Sequence, residues 1–346
     1  MLVSNIDSKS GNTWKTALAP YAKSSYYHAV WSLLTSVVPF LLLWALTYYL
    51  YQRFGWGFAI LLAPISAGFL LRTFIMMHDC AHDSLFTSKK ANRLTGSVLA
   101  IILFTPFSQW RHDHIGHHAT AGNLSKRGVG DVPMLTRSEY VQATRLKKFE
   151  YKLTRNPYLI VVLGPFYSLI FRPRFTSKKS STRVNNSIKL TNLIILALAI
   201  LVAFTITIPI FIIIELPIII IAGGAGIWLF FVQHQFNPTY WSNNKDWDFT
   251  TAALKGSSYL KLSNFLRFFT GNIGYHHVHH LNSKIPNYNL VFAHHAAQDD
   301  ESTHSGIYRV PPLSLLGALK TSRLALWDLS SETLISFKQH KQLLHK

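Results

Sequence analysis

Four long apolar stretches restrict this chain to folds that are embedded in a membrane. A helix needs about 20 mostly apolar residues to cross the hydrocarbon core of a bilayer. Val30 to Tyr51 and Trp56 to Met77 each meet this requirement. Leu190 to Gln233 is too long for one span and is interrupted at Glu215-Leu216-Pro217, which predicts two spans joined there by a tight hairpin. We therefore expect an all-α integral membrane protein with four transmembrane helices.

Two shorter apolar runs, Leu94 to Phe107 and Tyr158 to Phe171, fall below this length. Runs of about 14 residues usually lie in the membrane interface or re-enter the bilayer, so we do not count them as spans. A six-span alternative would return the chain to the same side of the membrane. It would, however, place Pro106, Gly164 and Pro165 in lipid.

The distribution of basic residues predicts the orientation. The net charge is +19 although 49% of the residues are hydrophobic. The predicted hairpins on one side carry only Arg53 and Glu215, whereas most lysines and arginines lie on the other side. By the positive-inside rule this second side, with both termini, faces the cytoplasm. A nucleic acid partner is not expected, because the basic residues flank membrane spans and no nucleic-acid recognition motif accompanies them.

The polar stretches divide the chain into three parts. Residues 1–29 form a polar cytoplasmic N-terminal segment, residues 30–300 form the four-span domain with its cytoplasmic cap, and residues 301–346 form a cytoplasmic C-terminal segment.

One segment of the cap has the pattern of a basic amphipathic helix. Thr136-Arg-Ser-Glu139 matches a capping box, which predicts a helix start. Ala143, Leu146, Phe149 and Leu153 share one side of the expected helix, and basic residues occupy much of the remainder. Such a helix either lies on an anionic leaflet or is a solvated helix packed on its own domain. Both interpretations fit the sequence.

Three histidine clusters predict a metal site. They are His78-Asp-Cys-Ala-His82, His114-Ile-Gly-His117-His118 and His276-His277-Val-His279-His280. Residues at i, i+3 and i+4 lie on one face of a helix, so each cluster projects its histidines together, except His277, which is rotated by about 100° from His276. Eight imidazoles exceed the four or so ligands of a zinc ion and suit two metal ions. Ligand type alone allows zinc, copper, iron or nickel.

The predicted topology places all three clusters on one side of the membrane. The first follows the second span, the second lies in the long loop, and the third follows the fourth span. We therefore expect one composite site at the membrane surface. Asp79, Asp83 and Asp113 lie within the clusters, where a carboxylate can accept an imidazole N–H and orient the ring. They can equally be solvated charges.

The remaining features have structural interpretations. Gly223, Gly224 and Gly226 on the fourth span predict close helix contact. Five histidines beyond the third cluster share no spacing and are expected at the surface: His294, His295, His304, His340 and His345.

Together with these clusters, several further stretches carry a family resemblance. They include Asn123-Leu-Ser-Lys-Arg-Gly-Val-Gly-Asp131, Gly226-Ile-Trp-Leu-Phe-Phe-Val-Gln-His234, Gly271-Asn-Ile-Gly-Tyr275 and Ile285-Pro-Asn-Tyr-Asn-Leu290. From about residue 30 to 300 the chain resembles the membrane fatty acid desaturases, in particular the bacterial acyl-lipid branch and the omega-6 type enzymes.

The resemblance implies a di-iron enzyme that uses O2 and two electrons to insert a cis double bond into an acyl chain of a membrane phospholipid. It also implies a ninth ligand, His234 at the end of the fourth span. The alternative interpretation is that His234 is a lone histidine at the membrane interface that binds no metal. The expected location is a bacterial cytoplasmic membrane, with the active site on the cytoplasmic side. Since the sequence lacks the His-Pro-Gly-Gly motif of the cytochrome b5 fused in some members, we expect a separate electron donor such as a ferredoxin or flavodoxin.

Two other functions fit parts of this pattern. A di-iron hydroxylase or ketolase that acts on an alkane or a carotenoid has similar histidine clusters, and its product would gain oxygen. A histidine-rich metal transporter or sensor would need ionisable residues deep within the spans. The histidines lie instead at the predicted ends of the spans.

Overall fold

The chain is mostly helical over residues 13–128, 130, 133–299 and 310–344, which the computed structural model describes. The helices are α1 (Thr13–Leu18), α2 (Tyr26–Phe54), α3 (Gly57–Ala81), α4 (Lys89–Ile102), α5 (Phe107–Thr120), α6 (Arg137–Gln142), α7 (Arg145–Thr154), α8 (Pro157–Pro165), α9 (Thr182–Thr205), α10 (Ile208–His234), α11 (Phe249–Lys255), α12 (Asn264–Phe269), α13 (His276–Leu281), α14 (Leu290–Asp299), α15 (Leu315–Thr321) and α16 (Phe337–Leu344). The strands are β1 (Leu135–Thr136), β2 (Tyr259–Leu260), β3 (Pro312–Leu313), β4 (Leu324–Asp328) and β5 (Thr333–Ser336).

Four of these helices, α2, α3, α9 and α10, are long and apolar enough to cross a membrane. They have 29, 25, 24 and 27 residues, which exceeds the length that a span requires. The predicted four-span helical architecture is therefore confirmed, and the described residues add five short strands outside the spans. The two shorter apolar runs fall mainly in α4 and in α8 with the π-helical turn that follows it, and neither helix is among the four.

The second hairpin lies about ten residues before the predicted position, so that prediction is wrong. The helix α9 ends at Thr205 and α10 begins at Ile208. Pro209 lies in the first turn of α10, where a missing N–H costs no hydrogen bond, and it marks the true start of the helix. Pro217, which suggested the hairpin, lies inside α10, as prolines do in membrane helices whose neighbours compensate for the lost bond.

This shift places Glu215 inside a span instead of in a hairpin. Glu215 is buried, and Trp44 of α2 donates its indole N–H to a Glu215 carboxylate oxygen over 2.9 Å. The carboxyl group thus has a polar partner within the apolar bundle, as an ionisable residue at membrane depth requires.

The helix α8 packs closely along the last turns of α10. A methyl group at Gly224 would lie 2.7 Å from the carbonyl oxygen of Val161, and one at Gly223 would lie 2.6 Å from Cβ of Pro165. Both distances are too short for a side chain, so these two glycines permit the contact, as predicted. Gly226 is less restricted, since a methyl group there would meet Leu71 at an ordinary 3.5 Å.

The segments outside the spans form a cap that includes two small sheets. In one sheet β1 pairs in parallel with β4, which pairs antiparallel with β5, and in the other β2 pairs in parallel with β3. The chain beyond residue 310 therefore folds back onto the segment after α5. Residues 1–12, 129, 131–132, 300–309 and 345–346 lie outside the described residues, as do parts of the predicted terminal segments and of the 123–131 motif.

The predicted capping box is confirmed at Thr136, whose side chain and Glu139 bond reciprocally to the backbone. The helix that it opens ends at Gln142, because Ala143 is extended, and Thr144 caps the new helix α7. The single amphipathic helix predicted here is thus two helices.

Candidate metal centre

The first histidine cluster lies where α3 leaves the apolar bundle. His78 is in the last turn of α3 and His82 follows its final residue, so the two rings meet with their centroids 4.8 Å apart. Both side chains are buried. The end of this span therefore contributes two imidazoles to the interior of the cap.

The second cluster is on α5, where it divides between two directions. His114 and His118, one turn apart, approach each other with their Nε2 atoms separated by 3.2 Å. His117 points elsewhere, and its Nε2 atom lies 3.1 Å from Nε2 of His234 at the end of α10. Adjacent histidines on one helix thus have different neighbours, because each residue turns by about 100°.

The third cluster forms the short helix α13 and divides in the same way. Nε2 of His279 lies 3.1 Å from Nε2 of His118, and Nε2 of His276 lies 3.0 Å from Nε2 of His234. The ring of His280 stacks on that of His118 with centroids 4.1 Å apart. All three predicted clusters therefore meet in one place.

The nine predicted histidines form two groups, within each of which the candidate ligand atoms all lie within 4.8 Å of one another. One group contains five residues, His78, His82, His114, His118 and His279, and the other contains four, His117, His234, His276 and His280. The groups divide the neighbouring pairs 117/118 and 279/280 between them. The i, i+4 pairs 78/82, 114/118 and 276/280 stay together.

The spacing of the ring nitrogens fits two metal ions. Separations of 3.0 to 3.2 Å are those expected of two nitrogens that are each about 2.1 Å from one ion. The Nε2 atoms of His82 and His280 are buried and have no hydrogen-bond partner among the described residues. Such nitrogen atoms are costly to bury unless they bind something.

The protonation of the rings also suits metal binding. Burial lowers the pKa of His114, His118 and His276 well below its usual range, and neighbouring imidazoles lower the pKa further. The same causes lower the pKa of His279 and His280. These rings are therefore neutral at pH 7, which is the form that donates a lone pair to a metal ion.

The three carboxylates predicted beside the histidines have different partners. Oδ1 of Asp79 lies 3.2 Å from Nδ1 of His78. Asp83 instead pairs with Arg111 at 3.0 Å, and Asp113 lies 3.8 Å from Arg172. Of these three, Asp79 is therefore the one with a carboxylate oxygen within hydrogen-bond distance of a histidine of the two groups.

Two further groups support the histidines and were not predicted from the sequence. Asn287 donates its backbone N–H and its side-chain amide to Oδ2 of Asp79, over 2.7 and 2.8 Å. Asn287 belongs to the Ile285–Leu290 motif. The family resemblance of that motif was the one sequence feature that could have indicated a role for Asn287. The carbonyl oxygen of Gly256 lies 3.0 Å from Nδ1 of His234, and no sequence pattern indicates this contact.

His277 lies outside both groups, as its helical position predicts. Its Nε2 atom is 3.1 Å from Nδ1 of His294, and burial lowers the pKa of His277 to about 3. The expectation that His294 is at the surface is wrong, because it is only 2% exposed. His340 is also buried, while His304 and His345 lie outside the described residues.

A cleft opens beside the four-histidine group. Its lining includes His117, His234 and Phe230, together with Tyr240 and Trp241. The cleft therefore adjoins two of the four histidines of this group.

Asp79→Asn is expected to weaken metal binding by about 10–100-fold, the usual loss when a carboxylate that orients a ligating histidine is removed. The asparagine side chain at position 79 still has an oxygen that can accept a hydrogen bond from Asn287. It lacks the negative charge that holds the Nδ1 proton of His78. Metal retained after dialysis against a chelator, measured by mass spectrometry, tests this result. Asp113→Asn is the matched control, since that carboxylate faces an arginine. Parent-like retention in Asp79→Asn would contradict the role of Asp79.

The chain resembles known fatty acid desaturases over most of its length. The family model described as fatty acid desaturase matches residues 54–311, a region that contains all nine histidines. The chain is 39% identical to the fatty acid desaturase of Bacillus subtilis (strain 168) over 326 residues, which cover 94% of this chain and 90% of that protein.

More distant relatives share the similarity. The endoplasmic reticulum omega-3 fatty acid desaturase of Vigna radiata var. radiata is 26% identical over 278 residues, covering 75% of this chain and 69% of the relative. The sn-1 oleoyl-lipid 12-desaturase of Synechocystis sp. is 24% identical over 252 residues, covering 67% of this chain and 66% of the relative.

Proposed function

We propose, from the premise that this chain belongs to the fatty acid desaturase family, that it inserts a cis double bond into an acyl chain of a membrane lipid. The observation that carries the proposal is the position of two histidine groups where α3 and α10 enter the cap. An apolar acyl chain partitions into the bilayer, so a site at this depth can receive it while the lipid headgroup stays at the surface. The named relative that acts on an oleoyl-lipid supports a lipid-bound substrate.

Iron is the proposed metal in both groups, and O2 is the proposed co-substrate. No side chain can remove two hydrogens from adjacent methylenes, and bound iron with O2 supplies the required oxidant. The two hydrogens removed, two further protons and two electrons reduce O2 to water. Ligand type alone would also admit zinc, copper or nickel, and membership of the desaturase family favours iron.

The protein's own contribution includes holding two of the imidazoles, His234 and His78, in the correct tautomer. The carbonyl oxygen of Gly256 can only accept a hydrogen bond, so Nδ1 of His234 carries the proton and Nε2 presents its lone pair. The Asp79 carboxylate fixes His78 in the same way, and Asn287 holds that carboxylate. Five histidines would hold one iron ion and four the other, and the cleft beside Tyr240 and Trp241 would admit O2.

The cap is proposed to face the cytoplasm of a bacterial cell, with electrons arriving from a separate acidic carrier such as a ferredoxin or flavodoxin. The positive-inside rule supports this orientation, since the cationic segments lie outside the spans. A protein of net charge +19 also attracts an acidic donor and accelerates its encounter.

Expression of the full chain in a bacterium with an intact ferredoxin and flavodoxin supply should produce a new cis-unsaturated acyl chain in phospholipid, and only under oxygen. The amount should rise from undetectable to a measurable fraction of the acyl chains. Gas chromatography with mass spectrometry of the lipid extract tests this. The matched control is the same strain grown without oxygen.

A hydroxylated or keto product in place of the alkene would overturn the proposal and support the hydroxylase or ketolase alternative. None of the three relatives described above carries such a name, so the similarities do not favour it.

A further inference from the structure

The helix α7 presents two opposite apolar faces, of which only one is covered. Tyr151 is buried, and its hydroxyl donates to the carbonyl oxygen of Ala325 in β4. Leu146, Phe149 and Leu153 are 67%, 59% and 42% exposed. At about 100° per residue these three side chains fall within about 60° of one another and nearly opposite Tyr151. The helix is therefore packed on its own domain and still exposes a second apolar stripe.

The end of α7 is held at the level where α10 leaves the bundle. Arg155, which caps α7, is buried and donates to the side chain of Gln235 over 3.1 Å and to the hydroxyl of Tyr151 over 3.1 Å. Gln235 directly follows the last residue of α10. Since α10 is a membrane-spanning helix, its end marks the bilayer surface, and α7 lies beside that surface.

The next segment packs against one of the candidate spans. The helix α8 begins only two residues after Arg155 and packs back along α10, where Val161 contacts Gly224. Tyr158 and Leu163 on α8 are exposed, which is compatible with lipid contact on a helix packed against a span. The exposed stripe of α7 is thus followed closely in the chain by an exposed apolar segment that packs against a candidate span.

The charges of α7 favour one kind of surface. The helix carries four cationic residues, Arg145, Lys147, Lys148 and Lys152, against the single carboxylate Glu150. Lys147 pairs with Glu150 at 3.4 Å on one side of the apolar stripe, while Arg145 and Lys152 lie next to each other along its other edge. Cations beside an apolar stripe complement the phosphate groups of anionic lipid at the boundary of the acyl region.

We propose that α7 docks the cap onto the anionic phospholipid headgroups of the adjacent leaflet, with Leu146, Phe149 and Leu153 inserted among the first methylenes. This surface is distinct from the histidine groups, and its test does not require turnover. Docking on zwitterionic lipid alone, or exposure of the stripe to water or to another protein, would be other outcomes of the same test.

The test places an environment-sensitive fluorophore on Phe149→Cys in the full chain. Cys80, the one native cysteine, is buried, so the unmodified chain is the control for labelling at position 149. The labelled protein is reconstituted into phosphatidylcholine vesicles with or without phosphatidylglycerol, and part of the lipid carries brominated acyl chains as quencher. Lys147→Cys is the matched control, because it lies on the same helix about 130° from the stripe.

We expect quenching at position 149 to exceed that at position 147 by about threefold or more in vesicles that contain phosphatidylglycerol. Quenching should fall in phosphatidylcholine alone, and also when Arg145→Gln and Lys152→Gln are combined, while bound iron stays unchanged. Equal quenching at the two positions would show that the stripe does not enter the membrane. Equal quenching at position 149 in both lipids would show that anionic headgroups are not the partner. Either result overturns the proposal.

Discussion

His234→Ala should leave the chain inserted in the membrane with about one iron ion fewer and no measurable turnover. His234 belongs to the four-histidine group, and its Nε2 atom lies 3.1 Å from that of His117 and 3.0 Å from that of His276. Removing it leaves three imidazoles in this group, so its ion would lose one nitrogen ligand and be bound more weakly. The five-histidine group keeps all its members, so the other ion should remain. Iron per chain in purified protein, together with lipid analysis of the expressing strain, tests both parts.

His112→Ala is the matched control for this experiment, because His112 is an exposed histidine on α5 that belongs to neither group. It should keep two iron ions and full activity. If His234→Ala also keeps two iron ions and normal activity, His234 is an interfacial histidine that bonds only to the backbone of Gly256. That result would remove it from the ligand set and leave the other eight in place.

His276→Ala and His277→Ala are expected to differ sharply although they change adjacent residues. Nε2 of His276 faces Nε2 of His234, whereas Nε2 of His277 faces His294 outside both groups. His276→Ala should therefore abolish turnover and remove about one iron ion. His277→Ala should keep both ions, with any loss of activity well below that of His276→Ala. The iron content of the two purified variants is the measurement.

Loss of iron from His277→Ala with retention in His276→Ala would show that α13 is rotated so that His277, and not His276, faces His234. Equal loss from both would mean that the buried contact between His277 and His294 is needed for the cap to fold. Circular dichroism and thermal unfolding of the metal-free proteins distinguish that case, since a folding defect would lower the unfolding temperature of metal-free His277→Ala but not that of metal-free His276→Ala.

The gathering of the histidines could be predicted from the sequence because it depends on local geometry. Spacings of i, i+3 and i+4 place side chains on one face, and the apolar stretches place the three clusters at one end of the bundle. The division into groups of five and four could not be predicted. It depends on the angles at which α3, α5, α10 and α13 meet, which no local pattern specifies.

The errors have the same origin. Pro217 indicated a break by local rules, but the neighbouring helices of the bundle allow α10 to continue through it. His294 had no spacing in common with the clusters, and it is buried because α14 packs against α13 and β2, where it meets His277 and Tyr259. In contrast, the capping box at Thr136 was predictable, because all its hydrogen bonds lie within four consecutive residues.

The division of consecutive histidines between the two groups has a mechanical consequence. His117 and His118 on α5, and His279 and His280 on α13, join the groups through single peptide links, across which Cα atoms stay about 3.8 Å apart. A displacement of either helix therefore carries both groups together and preserves their separation. The spans α3 and α10 each reach only one group. Thermal movement of α3 or α10 in the bilayer therefore displaces histidines of one group only. The two peptide links in the cap keep the distance between the two histidine groups nearly constant.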